Sequence, residues 1–189
     1  VYLGFTNSLY RISLVGGSGT FAFTQVSNEV GCVAKNSMQQ VTLANNQTGL
    51  LFLDNKKRVY FFNGTSPVEV STFIHGTLDA VQGNRLAYAV SAKDSSLYHL
   101  CLSGSGATVN NLCLEYNYLI QEWSKFTYPA LTGINAVAQV TDMDSMSMMY
   151  VGTGDSFVYQ MHETDLDNDV GSAGGTVSAV SRFPTRHAS

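Results

Sequence analysis

Charge is scarce in this chain. Asp, Glu, Lys and Arg make up 13% of its 189 residues, about half the usual share of a folded domain. The net charge is −4, which argues against a sequence-independent grip on nucleic acid, because that grip needs a surplus of Lys and Arg to displace counterions. Proline is scarce too, at 3 residues. No apolar run approaches the roughly 18 residues of a membrane-spanning helix. No basic stretch followed by an apolar one opens the chain, so a signal peptide is not expected. The chain starts at Val1 within a strand-like run, and the reading is of a piece of a longer protein.

The motifs of catalysis are lacking as well. His75, His99, His162 and His187 are dispersed, without the close spacings of a zinc site. There is no nucleophile elbow, phosphate loop or dinucleotide fingerprint. Trp123 is the single Trp and lies in QEWSKF, so the Asp-box of sialidase-type propellers is missing. The expectation is a protein that is not an enzyme and needs no cofactor. Three cysteines, Cys32, Cys101 and Cys113, share no redox or metal spacing. Cys101 and Cys113 flank the turn GSGATVN and could face each other across a hairpin, but the reading is of free, buried thiols kept in a reducing compartment.

What is present is β pattern. Short runs rich in β-branched and aromatic residues are broken by Gly, Asn, Asp and Ser. They begin with VYLGF (1–5), SLYRISL (8–14) and TFAFTQV (20–26). Four follow in 39–71: QQVTLA, GLLFLD, RVYFFNG and PVEVS. Four more fill 85–128: RLAYAVSA, SLYHLCL, NLCLEYN and EWSKFTY. NAVAQVT, SMMYVGT and SFVYQMH occupy 135–162, and TVSAVS (176–181) reads as one more strand. A small-apolar strand, a turn and an aromatic strand thus recur at about 40 to 50 residues, the period of four-stranded propeller blades.

Runs such as LLFL and VYFF, apolar at consecutive positions, suit strands covered on both faces. The fold expected is all-β: a β-propeller-like array of antiparallel blades of up to four strands, with a β-sandwich as the alternative. Residues 1–163 form about four blades, the first incomplete, and 164–189 form an exit loop and the start of a further strand or domain. GLLFLD and RVYFFNG should pair antiparallel across the NKKR turn.

Few residues stand out as sites. Asp165, Asp167 and Asp169 in DLDNDVG have the alternate spacing of a calcium loop, but Gly171 falls one residue late and Thr176 stands where the loop needs Glu. A solvated loop is the better reading, as it is for Asp142 and Asp144. Lys56, Lys57 and Arg58 are the one compact basic cluster, at a hairpin tip where a solvated turn is the plainer role and contact with a partner's acidic patch or a nucleic-acid backbone the functional one. Trp123 is either an interface anchor or a packing residue against the next blade.

The order of segments resembles the tail and DNA-stabilisation proteins of tailed bacteriophages. EVGCVAKNSMQQV followed by GLLFLDNKKRVYFFNGTSPVEVS is similar to that family's Gly-Cys turn, "fld" strand, aromatic "vyff" strand and "pv-x-vS" tail. NLCLEYNYLIQEWSKFTY and YVGTGDSFVYQMHETDLDNDVG resemble two later strands and an Asp-rich exit loop. The resemblance implies a virion structural protein of the tail hub, nozzle or head–tail connector. It would form a homo-oligomeric ring with other tail and portal-adaptor proteins as partners. Double-stranded DNA would pass through the channel without sequence-specific binding. Assembly would take place in the bacterial host cytoplasm, and the final location would be the virion. It carries over no catalytic residue. The alternative function is a propeller that recognises a host receptor or glycan, with Tyr116 or Tyr118 stacking on sugar rings.

Overall fold

The computed structural model describes residues 1–127, 132–141 and 147–161. Its strands form four antiparallel sheets that follow one another along the chain. The first holds β1 (Tyr2–Phe5), β2 (Ser8–Val15) and β3 (Thr20–Ser27). The second holds β4 (Gln39–Thr42), β5 (Thr48–Leu53), β6 (Val59–Phe62) and β7 (Pro67–Glu69). The third holds β8 (Val90–Lys93), β9 (Leu97–Leu102), β10 (Leu112–Asn117) and β11 (Glu122–Thr127). The fourth holds β12 (Ile134–Thr141), β13 (Ser147–Thr153) and β14 (Val158–Met161). Within each sheet every strand pairs with its sequence neighbour, so every connection is a short hairpin turn or meander link.

Strict alternation explains how the sheets stack. In β5 and β6, Leu50 pairs with Phe62 and Phe52 with Tyr60 on one face, while Leu51 pairs with Phe61 and Leu53 with Val59 on the other. The first set packs against Tyr2, Leu9 and Val26 of the first sheet. The second set packs against Tyr98, Leu100, Leu114 and Trp123 of the third. The third sheet in turn places Val90, Ala92, Cys101 and Cys113 against Ile134, Met149, Val151 and Tyr159 of the fourth. Both middle sheets are therefore covered on both faces. A two-layer sandwich leaves each sheet with one solvated face, so that alternative is excluded. Phe52 and Phe62 are fully buried, each a stabilisation of roughly 1.5–3 kcal/mol.

Close backbone approach fixes where the sheets meet. Cys32 donates its backbone N–H to the Phe5 carbonyl (2.7 Å) and Val33 donates to Leu53 (3.0 Å), which ties the end of β1 to the second sheet. A Cβ on Gly31 would collide with the Phe5 carbonyl and the Ser8 amide, so Gly is required there.

Two expectations need correction. RLAYAVSA is not one strand: Gly83–Tyr88 forms a 3-10 segment and only Val90–Lys93 is extended. There the backbone satisfies itself locally, with Arg85 N–H bonding Gln82 and Ala89 N–H bonding Leu86. PVEVS stops as a strand at Glu69, and the chain then turns through Thr72–Ile74 into the one-turn helix α1 (His75–Asp79). Residues 164–189, including TVSAVS, lie outside the described residues.

Candidate functional site

Two of the three cations of the basic cluster are engaged within the chain. Buried Asp54 opens the β5–β6 turn, and its Oδ1 accepts the N–H groups of Lys56 (2.8 Å) and Arg58 (3.0 Å). Burial raises the Asp54 pKa against those hydrogen bonds. The turn closes with Lys57 at φ 61° and aims its Nζ at the carbonyls of Asp79 and Val81, both at 2.8 Å. Arg58 donates to Asp79 Oδ1 at 2.8 Å and lies 3.9 Å from Glu69. Of the three cations proposed to meet a partner, Lys57 and Arg58 instead latch the turn onto the end of α1. Lys56 is exposed.

Trp123 is not an exposed anchor either. It is 5% exposed, its ring lies 4.8 Å from that of Tyr116, and Nε1 donates to the Val70 carbonyl at 2.8 Å. It bolts the third sheet to the second. Tyr116 and Tyr118, the residues offered for sugar stacking, are also buried. Burial pushes the Tyr116 pKa up to about 12, and Tyr118 donates its hydroxyl to the Asp94 carbonyl at 2.6 Å.

The expectation of two free thiols is overturned. The β9–β10 register sets Cys101 opposite Cys113, the pair forms a disulfide across the hairpin with a Cα–Cα distance of 4.2 Å, and both residues are fully buried. Cys32 is the free, buried cysteine. The same register carries a feature that motif reasoning missed. One pair further along the same face, His99 stands opposite Glu115, with Nδ1 at 3.1 Å from Glu115 Oε1. Its Nε2 lies 3.3 Å from Asp94 Oδ2 in the β8–β9 turn. Burial disfavours the imidazolium, yet the two carboxylates outweigh it and lift the His99 pKa to about 9. Burial likewise opposes ionisation of Asp94, but hydrogen bonds from His99 and from the Ser96 and Leu97 N–H groups bring it to about 2. With both ring nitrogens engaged and the side chain 1% exposed, the cluster is an internal ion network rather than a proton-transfer site.

A cleft of about 300 Å³ lies between the second and third sheets, lined by Asn45, Gln47, Phe61, Glu69 and Phe73 among others. Glu69 is already engaged by Ser71, His75 and Arg58. Among the described residues no group of three His, Cys, Asp or Glu side chains is arranged to hold a metal ion. Asp165, Asp167 and Asp169 lie outside the described residues, as do Asp142, Asp144, His162 and His187. No described helix is long and apolar enough to cross a membrane.

The surface that does stand out is apolar. Leu3, Phe5, Leu14, Phe21 and Phe23 are exposed on one face of the first sheet, and Val140 and Val158 on the outer face of the fourth. A scan against protein-family models finds no match, and a search of curated proteins finds none.

Proposed function

We propose that this chain is a structural component of a tailed-bacteriophage virion, a propeller-like array of blades that assembles into a ring at the tail hub, nozzle or head–tail connector. The observation that carries this reading is the pair of apolar faces at the two ends of the stack. Phe21, Phe23 and Val158 are 61%, 63% and 62% exposed, and contiguous patches of this kind mark protein contacts. The partners are then copies of the chain and neighbouring tail and portal-adaptor proteins. Double-stranded DNA passes the ring without being gripped, as a net charge of −4 favours.

The order of segments supports the same reading, through its resemblance to phage tail and DNA-stabilisation proteins. The buried Cys101–Cys113 disulfide replaces the free thiols expected of a reducing compartment; it suits the oxidising surroundings of a released particle and counts against the bond forming in the host cytoplasm. The receptor or glycan reading rested on Tyr116 and Tyr118, and both are buried.

Electron cryo-microscopy of a phage particle that encodes the chain tests the proposal. The expected map has stacked antiparallel sheets in a ring around the DNA path below the portal. Density at a fibre tip, or a particle that lacks the chain, overturns it.

A further inference from the structure

Among the described residues the two outward faces of the stack differ, and the difference is systematic. On the first sheet, register places Leu3 beside Tyr10, Ile12 beside Phe23 and Leu14 beside Phe21, so this face presents aliphatic–aromatic pairs. The second sheet presents the same kind of pair, Leu50 with Phe62, to the first. The partner it meets there is built from Tyr2, Gly4 and Leu9. Tyr2 stands edge-on to Phe62 with ring centroids 5.1 Å apart. At Gly4 a Cβ would lie 2.8 Å from that of Cys32 and 3.1 Å from Met38 Cε, so the bare backbone makes room for the link that leads from the first sheet into the second.

The outer face of the fourth sheet repeats that receiving surface. Tyr150 and Gly152 on β13 have the spacing of Tyr2 and Gly4 on β1. Val158 stands opposite Gly152 as Leu9 stands opposite Gly4. Around them are Ala136, Ala138 and Val140, all exposed, and among the described residues a Cβ on Gly152 would meet only Ala136, in ordinary contact at 3.6 Å. No Asp, Glu, Lys or Arg stands on either free face among the described strand residues. One end of each chain thus carries the small, Gly-containing surface, and the other carries the aromatic surface that such a surface receives inside the molecule.

We infer that copies of this chain join head to tail, the outer face of the fourth sheet of one copy receiving the outer face of the first sheet of the next. The contact reproduces the one already made between the first and second sheets. It is heterologous, so it builds a ring where the rotation closes and a filament where it does not. The inference rests on the assembly reading above and specifies its interface.

The test uses the full chain and two single-face variants, Phe23→Glu and Ala138→Glu, followed by analytical ultracentrifugation. Both positions are exposed, so each variant is expected to keep the parent's circular dichroism and melting curve. Leu14→Glu and Val158→Glu serve as the second pair if either of the first fails to fold. Wild type is expected to assemble and each variant alone to sediment as a monomer. An equimolar mixture should give a heterodimer and nothing larger, because only one compatible pair of faces remains. Assembly that persists in either variant, or a mixture that stays monomeric, overturns the head-to-tail contact. An Ala138→Glu variant that dimerises alone would show instead that first sheets pair with each other. A monomeric wild type also overturns the inference, whereas the virion reading stands or falls with the particle map.

Discussion

At His99 two opposing effects meet, the cost of burying an imidazolium and the gain from facing the two carboxylates of Asp94 and Glu115. The carboxylates prevail, and the pKa rises from its ordinary 6.5 to about 9. A group whose pKa is raised by folding adds stability that is full below the unfolded value and is lost as pH rises through the folded one. Asp94 works in the opposite sense: it is lowered from 3.8 to about 2, so its contribution is full above 3.8 and lost as pH falls through the folded value. The network therefore stabilises most between about pH 4 and 6.5. Between about pH 6.5 and 9 the wild type should lose on the order of 3 kcal/mol through His99. Urea unfolding at about pH 6 and about pH 9.5 checks this against His99→Gln, which should be less stable at the lower pH and show a flatter alkaline limb. Parallel losses in the two proteins would remove His99 as the cause. Much of this pair was legible once Cys101 is set opposite Cys113, since a period of two then brings His99 opposite Glu115. Asp94 was not, because it arrives from the turn and not from the ladder.

The hairpins show how one sequence unit serves different places. The run FLDNKKRVYFF forms β5 and β6, the middle pair of the second sheet, whereas SAKDSSLYHL forms β8 and β9, the first pair of the third. Similar strand–turn–strand segments therefore do not keep one position in their sheets, as the grouping of the runs into 39–71 and 85–128 already implied. What the grouping did not give is where β8 begins: residues 85–88 read as the opening of its strand, yet Gly83–Tyr88 closes into a 3-10 turn with Arg85 4.6 Å over the Tyr88 ring. That segment shortens β8 to Val90–Lys93. The β9–β10 hairpin yields a prediction of its own. Replacing Cys101 and Cys113 together by Ala should lower the unfolding free energy by about 2 kcal/mol while the far-ultraviolet spectrum is kept. A reductant should lower the melting temperature of the wild type and leave the double variant unchanged. Equal sensitivity of the two proteins to reductant would show that the disulfide does not secure this hairpin.

In the whole molecule, cover on both faces separates the middle sheets from the end sheets. Amide hydrogen exchange follows local opening, which is easiest where apolar contacts are few. The slowest amides are expected in β5, β6, β9 and β10, and the fastest strand amides in β3 and β12, whose burial patterns are mostly exposed. Exchange mapped by mass spectrometry on the isolated chain checks this, and uniform protection across all four sheets would contradict an open stack. The sequence alone determined the all-β class, most strands and the β5–β6 hairpin, because period-two alternation and turn residues are local and each strand carries its own signal. It also determined that the strands of the second sheet are covered on both sides, since consecutive apolar residues such as Leu50, Leu51 and Phe52 have no solvent face. Only the tertiary structure decided that Lys57, Arg58 and Trp123 turn inward, that Cys101 and Cys113 bond, and that the end sheets present unlike apolar faces. Those outcomes depend on which sheet stands beside which. Whether a carbonyl such as that of Val70 or Asp79 lies within reach of a distant side chain is a matter of three-dimensional approach, which residue spacing does not encode.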